Sequence, residues 1–61
     1  MYIINNKNQI FNTDCIPVIT ADGVHVLAVF GNVPRPISYN VECIKTIRDG
    51  LIEGREFVEV D

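Results

Sequence analysis

Apolar residues in this chain come in short bursts separated by polar breaks, and the spacing within each burst predicts an element. Tyr2-Ile3-Ile4 is β-prone, Asn5-Asn6-Lys7-Asn8 is a polar turn cluster, and Gln9-Ile10-Phe11 resumes the apolar run. Two β-prone runs around such a cluster predict a hairpin over residues 2–11. Asn12-Thr13-Asp14 breaks it. Residues 15–20 (CIPVIT) are extended and β-branched, but Pro17 has no N–H for a ladder and marks a sheet edge or a bulge. Asp22-Gly23 then lies between two apolar β runs, a short-range hairpin signal.

Residues 24–30 (VHVLAVF) form the strongest predicted strand. Alternation puts Val24, Val26, Ala28 and Phe30 on one face and His25, Leu27 and Val29 on the other. Both faces are largely apolar, whereas an antiparallel strand with one wet face alternates apolar with polar. Gly31-Asn32 turns the chain. Residues 33–39 (VPRPISY) are extended, because each proline holds the residue before it out of the helical region.

After Asn40, a capping residue with Ser38 as its rival, Val41, Ile44, Ile47 and Leu51 recur at helical spacing, widened by Cys43. Glu42, Lys45, Arg48 and Asp49 lie off that stripe. Gly50 weakens the helix by about 1 kcal/mol relative to alanine, and Gly54 suits the left-handed residue that ends it. Residues 55–60 (REFVEV) are β-prone and can add a strand. The order is β-β-β-β-α-β: a small antiparallel sheet of four to five strands with one helix near the C-terminus, which is α+β.

Length and composition narrow the function classes. Sixty-one residues, 48% apolar and 21% charged, predict a single domain over 1–61. A domain this small buries only about 60% of its unfolded surface. It commonly relies on disulfides, a metal or oligomerisation. Cys15 and Cys43 are not a disulfide framework, and with one histidine and no CxxC pair they make no zinc site. No metal and no cofactor is expected. The opening apolar run is too short for a signal peptide, so a cytoplasmic protein with reduced thiols and no membrane association is expected. Five basic against eight acidic residues, net charge −3, disfavours nucleic acid, whose grip rests on Lys and Arg neutralising phosphates.

Candidate chemistry is sparse. His25 is the only histidine, its nearest acidic residue is Asp22 across a turn, and no nucleophile is placed to converge on it. A half-buried strand histidine facing a sheet or interface is the expectation. Cys15 and Cys43 each adjoin an isoleucine and are expected in the core or an interface. No phosphate-binding glycine spacing occurs, so no enzyme signature is present. Pro34-Arg35-Pro36 is read first as a stiff connector that blunts an edge strand, and second as a holder that presents Arg35 to a partner.

The residues Ile4-Asn5, Ile10, Asn12, Asp14, Ile16, Ile19, Tyr39 and Glu42 follow a pattern of I-N, a gap, I-x-N-x-D-x-I-x-x-I, an apolar strand, and Tyr shortly before one terminal helix. Over about residues 3–52 this resembles a loose group of short bacterial and phage proteins. The resemblance implies a fold and a mobile-element origin, and transfers no catalytic or binding residue. Pro17 and Pro34-Arg35-Pro36 depart from the pattern.

One helix covers one face of such a sheet, leaving Leu27 and Val29, with Ile19 or Ile3, as a wet apolar patch. Burying each such side chain is worth about 1.5–3 kcal/mol, and patches of that kind mark interfaces. The expectation is a small non-catalytic, self-associating regulatory protein, most simply a homodimer, acting on a host protein. Its candidate interface is Leu27, Val29, His25 and Ile19. The alternative is an oligomer with a nucleotide-like ligand between subunits, contacted by Arg35 and Tyr39.

Overall fold

The structure, a computed structural model describing all 61 residues from Met1 to Asp61, is α+β, with its strands divided between two three-stranded sheets rather than gathered into one. The first sheet has the order β2-β1-β6, from β1 (Tyr2–Ile4), β2 (Ile10–Asn12) and β6 (Phe57–Glu59). Here β1 pairs antiparallel with β2 and parallel with β6. The second sheet, β3-β4-β5, is wholly antiparallel and consists of β3 (Val18–Ala21), β4 (Val26–Phe30) and β5 (Val33–Ser38). The helix α1 (Cys43–Glu53) carries the chain from β5 back to β6.

The division has a local cause. The Asn12 side chain accepts from the Asp14 N–H at 3.0 Å, and Thr13–Cys15 wind into one turn of 3₁₀ helix. Pro17, directly before β3, has no N–H to continue a ladder. The hairpin of β1 and β2 therefore ends before β3 begins. Residues 33–38, expected as an extended connector, form a true edge strand despite two prolines. The two-residue turn pairs Phe30 with Val33 and Ala28 with Arg35, so the ladder runs through Val33 and Arg35, the residues that alternate with the prolines.

The two inner faces and the helix meet in one core of Ile3, Ile16, Val26, Ala28, Ile37, Cys43, Ile47 and Val58. An irregularity opposite Val26 and Leu27 breaks the alternation of β5, so the consecutive residues Ile37 and Ser38 are both buried. The helix buries Cys43, Ile47 and Gly50, whereas Leu51 is exposed. The stripe is thus turned from the one predicted, with the Val58 and Met1 side chains packed against Gly50. Asn40 acts just ahead of the helix: its side chain accepts from Glu42 N–H and its carbonyl from Cys43 N–H. Gly54 ends it in the left-handed region at φ 74°, with Arg55 N–H reaching back to the Gly50 carbonyl at 2.9 Å.

Candidate functional site

Strand alternation decides where Arg35 goes. Pro34 and Pro36 pair with Val29 and Leu27 and share their outer face, while Arg35 pairs with Ala28 and turns the other way. There it lines a cleft of about 410 Å³ between β5 and the turn joining β1 to β2, together with Lys7, Gln9, Tyr39, Asn40 and Asp61. The floor of that turn is Asn5, 5% exposed. Its amide donates to the Ile37 carbonyl at 2.8 Å and to Gln9 Oε1 at 2.9 Å, while Oδ1 accepts the N–H groups of Lys7 and Gln9. Asn5 thereby closes the turn and ties the first sheet to the second.

A second arrangement reaches the cleft through Tyr39. The His25 ring stacks on Tyr39 with centroids 5.3 Å apart and planes within 10°, and the Lys7 ammonium lies 5.2 Å from the same ring. His25 Nδ1 is 2.8 Å from Asp22 Oδ1. His25 was expected mid-strand but lies in the four-residue turn before β4, where Asp22 Oδ1 also accepts the N–H groups of Val24 and His25. Those two backbone bonds, His25 first, lower the Asp22 pKa from 3.8 to about 2, with the His25 ring adding to them and desolvation opposing. The carboxylate fixes one ring nitrogen as the hydrogen-bonding one, and the hydrogen bonds of the chain bring no serine, threonine or cysteine to this histidine. Chemically, the pair orders a turn and braces Tyr39.

Each sheet also leaves one face uncovered. On the second sheet it consists of Val18, Thr20, Leu27, Val29, Pro34 and Pro36. Leu27 and Val29 are half-buried there. Ile19 is not part of this face: it pairs with Ala28 and packs against the core. Ile3, its sequence-level alternate, is fully buried. On the first sheet the outer face holds Tyr2, Ile4, Ile10 and Phe57 together with Asn12 and Glu59, Tyr2 being in register with Asn12 and Phe57, and Ile4 with Ile10 and Glu59. Tyr2 is 50% exposed, Phe57 53% and Ile10 66%.

The predicted site residues therefore separate. Arg35 and Tyr39 meet in one cleft within a single subunit, Leu27 and Val29 share an outer face, and His25 braces Tyr39 from outside the cleft. Sequence reasoning missed Lys7 and Asn5, and it missed Tyr2, Ile10 and Phe57 as a face. The signal for that face was present in the period-2 spacing of Tyr2 and Ile4, but its completion needs the distant β6. Cys43 is buried as expected, whereas Cys15 is exposed at the end of the 3₁₀ turn, because Ile16 takes the core position beside it.

No group of three His, Cys, Asp or Glu side chains comes together to hold a metal ion. No helix is long and apolar enough to cross a membrane. Comparison with known proteins returns no match to a family model, a curated protein or a solved structure.

Proposed function

We propose that the protein is a small non-catalytic interaction protein that self-associates as a two-fold dimer, and that the outer face of its first sheet is the contact. One observation carries this reading: Tyr2, Ile4, Ile10 and Phe57 form an apolar cluster, flanked by Asn12 and Glu59, on a sheet face with no element of the chain over it. An aromatic side chain offers about 150–250 Å² for burial, so two half-exposed rings contribute about 200 Å² between them. With Ile4 and Ile10 the patch reaches several hundred Å², the size that marks functional patches on monomers. Rigid aromatic anchors also dominate interface energetics.

The occupant is a second copy, because a two-fold axis sets the apolar cluster on its own copy, with Glu59, the one charged residue of the face, on the edge strand β6 and exposed. Two such faces bury less than about 1,200 Å² in total, which places the pair among weak, reversible contacts. The outer face around Leu27 and Val29 is the lesser contender, its two central side chains being half-buried already. Sedimentation equilibrium tests the proposal. At about 100 μM, a concentration matching micromolar affinity, mass above the 6.9 kDa protomer is expected. A single protomer mass at that concentration overturns it.

A further inference from the structure

The charges of this chain are distributed in a way that net charge conceals. Of its five cations, Lys45 pairs with Glu42 at 3.2 Å, Arg48 with Asp49 at 3.9 Å and Arg55 with Glu53 at 3.0 Å. The two cations without a carboxylate partner, Lys7 and Arg35, line the same cleft. The one carboxylate side chain on that lining, Asp61, accepts a hydrogen bond from Asn40 Nδ2 at 2.9 Å and keeps its charge, so the lining carries two cations against one carboxylate. A protein of net charge −3 thus keeps the two cations that lack a carboxylate partner on the lining of one cleft.

From this we infer that the cleft is a binding site, complete within one subunit, for a small phosphate-bearing anion. A phosphate has oxygens enough to engage Lys7 and Arg35 at once, whereas the two oxygens of a single carboxylate are taken up by the Arg35 fork alone. The guanidinium of Arg35 offers a planar fork for two oxygens, and Lys7 offers a point charge. Asn40 and Gln9 bring amides to the same wall. The cleft, at about 410 Å³, falls in the range of small-molecule sites, about 300–1,000 Å³.

Both cations are held on prepared backbone. Prolines on either side restrict Arg35, and the four hydrogen bonds of Asn5 set the turn that bears Lys7. Such preorganisation lowers the ordering cost of binding. The ligand is small rather than polymeric. Glu42, Asp49, Glu53, Glu56 and Glu59 populate the rest of the surface and repel an extended polyanion. The site stands independently of self-association.

Titration of the full chain with pyrophosphate, AMP and a thymidine oligonucleotide, followed by amide NMR shifts, tests the inference. Pyrophosphate or AMP is expected to saturate at a Kd of about 1 mM or below, with the shifts centred on Lys7, Arg35 and Tyr39. R35Q and K7Q should each weaken binding about tenfold, or ~1.4 kcal/mol, with an unchanged melting temperature. R35K, which keeps charge but loses the fork, should fall between. Absence of saturation, binding indifferent to both glutamine variants, or tighter binding of the oligonucleotide than of AMP would each overturn the assignment.

Discussion

Asp22 Oδ1 accepts three hydrogen bonds within its own turn: the N–H groups of Val24 at 3.0 Å and His25 at 2.9 Å, and His25 Nδ1 at 2.8 Å. All three favour the ionised form, so the pKa falls from 3.8 to about 2. A folded-state value below the unfolded one means that the carboxylate stabilises the fold fully above pH 3.8. The contribution is lost as pH drops through about 2. A carboxyl ¹³C titration should therefore give Asp22 a midpoint near 2, and D22N should flatten the acid limb of the thermal stability curve. A midpoint at or above 3.8 would dismiss the bonding described. The turn itself was legible, because Asp-Gly between two apolar runs says where the chain reverses. The stacking of His25 on Tyr39 was not, since it depends on a four-residue turn that removes His25 from the strand alternation.

The helix illustrates what element-level patterning reads well and where it slips. Its termination at Gly54 and its amphipathic character were legible from spacing. The buried stripe runs one position away from the predicted one, through Gly50 instead of Leu51, because a glycine contributes nothing to an apolar pattern even where neighbouring side chains pack against it. A Cβ on Gly50 would lie 2.6 Å from Val58 Cγ1 and 2.9 Å from the Met1 sulfur. Met1 can move; a valine methyl on a strand cannot without shifting β6. G50A gains about 1 kcal/mol of helix propensity and incurs overpacking of about 1–3 kcal/mol, and the clash with β6 is expected to win by about 1 kcal/mol. In a domain of this size that lowers Tm by about 4–8 °C. The double variant G50A/V58A should cost less than the sum of the single changes. An additive result, or a G50A protein more stable than the parent, would remove the close-packing account. The two prolines of β5 follow the same logic: a Pro in a strand demotes it to an edge, and it is an edge, with Arg35 directed into the cleft by the alternation between them.

At the scale of the whole molecule, the α+β class was legible because strands and helix differ in period, and the division into two sheets was not. The break at Asn12–Pro17 is local, but the first sheet is completed by β6 returning through α1 to lie parallel beside β1, a pairing between the two ends of the chain that no local pattern encodes. That pairing also creates the face of Tyr2, Ile4, Ile10 and Phe57, which moves the strongest candidate contact from the second sheet to the first. The two faces can be told apart by one charge on each. If copies associate, binding of a second protomer stabilises the folded state by mass action, and Tm rises with protein concentration. F57K removes one of the two rings of the first-sheet face and sets an ammonium beside Tyr2, and it should abolish that rise. V29K places the same charge among Leu27, Pro34 and Pro36 and should leave the rise intact, at the cost of some protomer stability. The reverse outcome, a flat Tm in V29K and a rising one in F57K, would return the interface to the second sheet. A Tm independent of concentration in the parent protein would remove self-association from both.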